Sequence, residues 1–352
     1  MPSDPGERLR DRIRRDGPVS FAVFMEEALY GEGGYYAREE LPIGPQGDFV
    51  TGSSHSPLFG QTTAELLRRL DRELSAPADY LEVGYGSGAH LRAVMAAASG
   101  RRRWLASDRV ERGVPAGVEV SQSPASWPER SVNGLIFSYE LFDALPVHRV
   151  IQGGGQGGGQ AGGQLREIGV GLGAGGEFVW TEVPLSCADL GSLVPSAMEP
   201  GQIADVADWG AAYNELAHRL GRGLIVTCDY GYPRQRLFDS RVRKNGTLAS
   251  YRRQRVHRDA LADPGLQDLT AHVDFSALQQ AGEAQGLETV AFTRQAPWLA
   301  ALGILDGLAE RPAGERLDAM TLLDLDGMGE DIRVLVQARE VEASELIDLA
   351  LL

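Results

Sequence analysis

Glu82-Val83-Gly84-Tyr85-Gly86-Ser87-Gly88 stands between a short apolar run, Tyr80-Leu81-Glu82-Val83, and a stretch with helical character from Ala89 to Ala98. Glycines at alternate positions let a backbone approach a bound group closely. A helix beginning near Ala89 turns its first N–H groups toward the same place, where they suit a polar or negative group. Strand, glycine turn and helix in that order predict an α/β protein with a ligand at the turn.

Reading outward, the same alternation recurs. Trp104-Leu105-Ala106, Val118-Glu119-Val120, Gly134 to Ser138 and Gly223 to Thr227 read as further strands, with Leu287 to Phe292 and Ile332 to Val336 as a closing pair. Strand and helix in alternation predict a doubly wound, mostly parallel sheet, seven-stranded here. Ahead of it, apolar residues from Leu9 to Leu29 recur at helical spacing, broken at Gly17-Pro18, with Ser20 as an N-cap. Residues 31–56 are rich in Gly, Pro and aromatics and predict a long ordered loop, and Pro57 to Leu74 reads as a helix. The expected organisation is a helical and loop region over 1–75, followed by the α/β domain over 76–352. That domain carries an inserted segment at about 150–220. Residues 152–164 are almost all Gly and Gln, a run that cannot offset its ordering entropy and predicts a flexible loop. Leu165 to Leu172 and Glu177 to Val183 beside it read as a hairpin.

The chain has 352 residues, 43% hydrophobic and 24% charged, which permits a packed core. Acids outnumber bases by 49 to 34, giving a net charge of −15. That balance opposes non-specific nucleic-acid binding, which depends on neutralising phosphates. Cys187 and Cys228 make neither a disulfide framework nor a zinc site. No stretch approaches the roughly 20 apolar residues of a membrane span, and the acids among the first sixteen residues argue against a transit peptide. The expectation is a cytoplasmic protein.

Two ligands fit the glycine turn at this stage. Gly84, Gly86 and Ala89 satisfy the dinucleotide pattern G-x-G-x-x-G/A, and Asp108, about twenty residues on, would take ribose hydroxyls. A nicotinamide-dependent oxidoreductase is therefore open. Glu82, two residues before the first glycine, completes acid-x-Gly-x-Gly-x-Gly, which resembles motif I of class I methyltransferases, where the acid helps hold the methionine moiety.

Further motifs follow in order. They are Phe24-Met25-x-x-Ala28-Leu29-Tyr30, Gly34-Tyr35-Tyr36, Gly47-Asp48-Phe49-Val50-Thr51, Ser56-Pro57-Leu58-Phe59-Gly60 and Tyr139-Glu140-Leu141-Phe142-Asp143-Ala144-Leu145-Pro146. Asp229-Tyr230-Gly231, Gly246-Thr247-Leu248, Asp268-Leu269-Thr270-Ala271-His272-Val273-Asp274-Phe275, Gln295 and Trp298-Leu299 complete them. With these the chain resembles the MidA-like family of complex I assembly factors from about residue 18 to residue 303. The resemblance implies a class I methyltransferase fold and S-adenosylmethionine as cofactor. It also implies transfer to an arginine of a protein substrate, a respiratory complex I subunit in the mitochondrial relatives.

Candidate residues follow from both readings. Glu140 and Asp143 lie just past the fourth strand, at the carboxyl end of the sheet where ligands of open α/β folds bind. Carboxylates there can orient a guanidinium and accept its proton, so Glu140 is expected to orient the acceptor and Asp143 to support it, unless Asp143 only caps a helix. Asp48 and Thr51 lie on the loop expected to cover the cofactor, although Asp48 could simply close a turn. Glu82, Gly84, Gly86, Gly88 and Asp108 complete the cofactor set. Tyr230, after the fifth strand, is a substrate-side candidate, although an aromatic there is more often core. His272 is expected in the substrate cleft or in a structural hydrogen bond, and no metal is expected. Relatives usually read Thr-x-Pro-Glu where this chain has Thr51-Gly52-Ser53-Ser54, and Asn where it has Tyr139. The stretch from Asp108 to Asn133 lacks the long helix that usually follows the second strand. The lost carboxylate at Ser54 leaves a catalytically silent assembly protein as an alternative.

Overall fold

The computed structural model describes residues 4–38, 51–153, 164–252, 255–257 and 259–348. Asp48 and most of the Gly-rich run, residues 154–163, lie outside them.

Every expected strand forms, within a few residues of its expected ends. The main sheet runs Glu288–Arg294, Ile332–Arg339, Leu220–Tyr232, Val132–Tyr139, Asp79–Val83, Trp104–Ser107 and Val118–Ser121, and the two-residue strand Val273–Asp274 pairs with the far end of Leu220–Tyr232. The five strands from Leu220–Tyr232 to Val118–Ser121 are parallel, and the closing pair is antiparallel. This is the Rossmann-like arrangement of class I methyltransferases. Asp229-Tyr230-Gly231 does not follow the fifth strand as expected. It lies inside it, because Leu220–Tyr232 runs on to pair with Ile332 and Val273.

Side chains alternate between the two faces of the sheet, as the two-residue period of a strand requires. Leu81, Ile136, Ile225 and Leu335 join a core with the helices Phe21–Tyr30, Trp209–Arg219 and Phe275–Ala284. Tyr80, Leu135, Phe137, Leu224 and Val226 join another with Pro57–Leu74, Ala89–Ala97 and Gln295–Ala301. Both faces are covered, which is why these strands read as nearly continuous apolar runs. Ser20 accepts from the Val23 N–H and Ser56 from the Leu58 N–H, so each caps the helix that follows.

Two smaller sheets accompany the main one, the first built around the expected hairpin of Leu165–Leu172 and Phe178–Val183. His148–Gln152, Leu165–Leu172, Phe178–Val183 and Ile203–Val206 form an antiparallel sheet joined by Val19–Ser20 near the N-terminus. Ala249–Arg252 pairs with Arg255–His257 and Asp268–Thr270. The Ala271 N–H donates to the Asp143 carbonyl at 2.9 Å, tying this last sheet to the turn after the fourth main strand. Among the described residues no helix is long and apolar enough to cross a membrane.

Candidate active site

A cavity of about 400 Å³ opens at the carboxyl ends of the parallel strands. One end of it is built by the glycine turn. Gly84, Gly86 and Gly88 have φ of +72°, +56° and +70°, the left-handed region that favours glycine. A Cβ at Gly84 would stand 2.9 Å from Leu141 Cδ1, so the turn and the post-strand loop meet with no space for a side chain. Gly84 and Gly86 line the cavity, whereas Gly88 closes the turn, its N–H donating to the Tyr85 carbonyl at 2.8 Å.

Glu82 is buried beneath that turn and borders the cavity. One of its oxygens, Oε2, accepts from the Tyr80 hydroxyl at 2.8 Å and lies 3.0 Å from His90 Nδ1. Asp108 also lines the cavity and accepts from the Gly86 N–H at 2.9 Å. Burial pushes its carboxyl above the usual range while the Gly86 and Val110 N–H groups pull it back. Thr51, Ser53 and Ser54 roof this end. Thr51 and Ser54 join hydroxyl to hydroxyl in the short turn where relatives usually carry an acid. The Tyr139 hydroxyl donates to Gln295 Oε1 at 2.6 Å and lies directly under Gly52, where any Cβ would collide with it.

The far end is carboxylate-rich. Glu140, Asp143 and Asp268 line it, and Asp143 and Asp268 are buried. Glu140 takes the left-handed backbone at φ +50°, a strained conformation for a residue with a side chain. It is held there by Asp229 beneath it: Asp229 Oδ2 accepts from the N–H groups of Leu141 at 3.1 Å and Phe142 at 2.8 Å. No helix follows Asp143, so the capping reading fails; the chain turns instead. Burial raises the Glu140 carboxyl well above its usual range, and the nearby charges of Asp229 and Asp268 raise it further. Asp143 is raised in the same way by burial, then by Asp229, Glu140 and Asp268. Burial lifts Asp229 to about 7 against the pull of four backbone N–H groups.

Asp268 and Tyr36 are functional-site residues the sequence reading passed over. The Tyr36 hydroxyl donates to Asp268 Oδ1 at 2.9 Å, and its ring stacks on Tyr30, 5.6 Å between centroids. Both tyrosines line the cavity. Arg109 packs over Tyr30 at 4.0 Å and pairs with Glu26 at 2.7 Å. Asp229 and Asp268 both sit in motifs the family resemblance rests on, which was the signal available for them.

Tyr230 and His272 are not among the residues lining the cavity. Tyr230 packs against the core on the Pro57–Leu74 face of the sheet. His272 lies beside Tyr232, 5.5 Å between rings, and its Nδ1 has no hydrogen-bond partner. Burial lowers its pKa to about 4, helped by Arg243 and Arg333. Among the described residues no three His, Cys, Asp or Glu side chains are arranged to hold a metal ion.

The lining offers partners for hydroxyls and for cations. Asp108 at one end can take ribose hydroxyls, Glu82 an ammonium, and the far carboxylates a second cation. A family model described as putative S-adenosyl-L-methionine-dependent methyltransferase matches residues 98–293, starting beyond the glycine turn. The mitochondrial protein arginine methyltransferase NDUFAF7 homolog of Drosophila melanogaster is 25% identical over 322 residues, 80% of this chain and 70% of its own length. The mitochondrial protein arginine methyltransferase NDUFAF7 of Mus musculus is 27% identical over 321 residues, 79% of this chain and 69% of its own. A crystal structure from Burkholderia thailandensis bound to S-adenosyl-homocysteine superposes with a TM-score of 0.84 at 28% identity, covering 96% of this chain and 92% of its own. The expectation of a cytoplasmic protein is overturned by these relatives, since the curated ones are mitochondrial by name.

Proposed function

The chain belongs to the family of S-adenosyl-L-methionine-dependent methyltransferases, and we propose that its acceptor is an arginine side chain of a protein substrate. S-adenosylmethionine is the cofactor, which removes the nicotinamide reading. The observation that carries the acceptor assignment is the group of carboxylates lining the cavity, Glu140 with the buried Asp143 and Asp268. The charges that bear on Glu140 are those of two more carboxylates, and a cation entering beside them would offset that repulsion. A guanidinium supplies that cation and matches carboxylates through paired N–H donors. The names of the relatives point the same way. On the family resemblance, the acceptor protein is a subunit of a respiratory complex I-type assembly.

Bound S-adenosylmethionine would supply an activated methyl group on a sulfonium. Glu82 and Asp108 would hold its methionine and ribose ends, Thr51 would cover it, and the turn at Gly84 and Gly86 would admit it closely; Asp48, outside the described residues, is proposed to lie against the methionine amino group. Glu140 orients the acceptor guanidinium by hydrogen bonds to its N–H groups. A protonated guanidinium is a poor nucleophile, so a carboxylate must take a proton as the new N–C bond forms. Glu140, whose burial favours the protonated state, is suited to take it. Asp143 and Asp268 hold the remaining charge of the acceptor, and Asp229 fixes the loop that carries Glu140.

The test is methylation of arginine-containing peptides and candidate subunits with labelled S-adenosylmethionine, read by mass spectrometry for the modified residue. Methylarginine formed by the wild type and lost in Glu140→Gln supports the assignment. Tight S-adenosylhomocysteine binding with methyl found only on other residue types would sink it.

A further inference from the structure

Glu82 touches more than the cavity. Its Oε2 meets both the Tyr80 hydroxyl and His90 Nδ1, at 2.8 and 3.0 Å. The other face of the imidazole is occupied as well: Nε2 lies 3.1 Å from Thr63 Oγ1, and that hydroxyl lies 3.1 Å from the Phe59 carbonyl. Glu82, His90, Thr63 and Tyr80 are all buried, at 4, 3, 3 and 0% exposure. The ring is clamped by Phe59, edge-on at 5.5 Å, and by Phe137 at 4.6 Å. So three side chains from three elements, Tyr80, His90 and Thr63, fix one carboxylate.

Proton inventory narrows what this chain can be. A carboxylate lone pair cannot face an imidazole lone pair, so Nδ1 carries a hydrogen and donates to Glu82. Thr63 can then either donate to Nε2, or accept from it while donating to the Phe59 carbonyl. The first keeps the ring neutral and the second makes it an imidazolium; both leave Glu82 Oε1 free of these partners. A buried carboxylate left without donors would be costly or would take up a proton.

We propose that His90 is a positioning residue for cofactor binding: it turns Glu82 so that Oε2 is consumed inside the protein and Oε1 is presented to the cavity. It needs no contact of its own with the reacting atoms. His90 is the second residue of the helix Ala89–Ala97, whose N-cap is Gly88, and Thr63 and Phe59 lie on the helix Pro57–Leu74. The relay therefore joins the glycine turn to the helix that extends from the covering turn at Thr51–His55.

The experiment is calorimetric titration of the whole chain with S-adenosylmethionine and S-adenosylhomocysteine, each variant checked by thermal melting. His90→Phe keeps a ring but loses the donor, and the expected result is at least tenfold weaker binding of both ligands. His90→Asn puts an amide donor near the place of Nδ1 and is expected within about threefold of wild type. The decisive readout is the same substitution in a Glu82→Gln background, where His90→Phe should cost nothing further. Equal binding by His90→Phe and wild type overturns the proposal. So does an undiminished loss in the Glu82→Gln background, or His90→Asn binding as weakly as His90→Phe in a protein that melts normally. If His90→Phe does not fold, Thr63→Val serves instead: about a threefold loss, absent in the Glu82→Gln background, upholds the relay, and the same loss in both backgrounds rejects it.

Discussion

At the glycine end of the cavity, Glu82 is met by Tyr80 and His90, and Asp108 by the Gly86 N–H. At the far end, Glu140 and Asp143 meet the charges of Asp229 and Asp268, and burial drives both well above the usual carboxyl range, while Asp268 accepts from the Tyr36 hydroxyl. The glycine end is finished before any ligand arrives. The far end is unfinished in charge and completes itself only when a cation enters. A binding site wants its polar groups satisfied in advance. A site for a charged acceptor gains more by leaving its anions in want of a partner, in surroundings where the interaction is strong.

Four substitutions or conditions separate the two ends. Glu140→Gln should have the largest effect, a fall in methyl transfer of about 10²-fold or more, the range removed with a general base. S-adenosylhomocysteine binding should stay within a few-fold, measured on the same sample. If both fall together, the ends are not distinct. Gly86→Val should do the opposite. A β-branched residue at φ +56° costs the folded protein roughly 1–3 kcal/mol in strain, which should lower Tm. Its side chain also blocks the close approach of a ligand to the turn, so S-adenosylhomocysteine affinity should drop by tens-fold while the Glu140→Gln protein keeps its affinity.

The third test is pH. Carboxyls with folded pKa values above their unfolded ones contribute stability that is fully present below the unfolded value and lost as pH rises through the folded value. With Asp229 at about 7 and Glu140 and Asp143 also raised, Tm should decline from about pH 5 to pH 8, and less steeply in Glu140→Gln. Over the same interval the far end gains negative charge, so the cationic S-adenosylmethionine should gain affinity relative to neutral S-adenosylhomocysteine. A flat ratio would mean the carboxylates do not sense the sulfonium. The smallest effect is expected of Tyr36→Phe. It removes one donor to Asp268, a change of about 1 kcal/mol, visible as a several-fold rise in acceptor KM at unchanged cofactor affinity.

The same contrast explains what the sequence could tell. The glycine end is contiguous: Asp79–Val83, the turn and Ala89–Ala97 follow one another, and periodicity with glycine spacing is enough to read them. Glu140 and Asp143 were found because they follow an apolar strand. Asp229 and Asp268 were quoted within motifs, yet their convergence on Glu140 could not be read. It arises when Leu220–Tyr232 extends past its apolar stretch and when the short strand Asp268–Thr270 docks beside the post-strand turn. Strands of three or four residues such as Asp268–Thr270 and Ile203–Val206 are too brief to show a period. Tyr230 was read as following its strand and lies inside it, packed against the core on the Pro57–Leu74 face while its hydroxyl still senses the charges of Glu140 and Asp143.

The left-handed backbone of Glu140 sets selection for activity against selection for robustness. Glycine at that position would relax the main chain and remove a buried acid in one step, so Glu140→Gly should melt higher than wild type while losing the group proposed to take the proton. A laboratory evolution scored on heat resistance or soluble yield would enrich it, and each round would return a better-behaved protein that no longer transfers a methyl group.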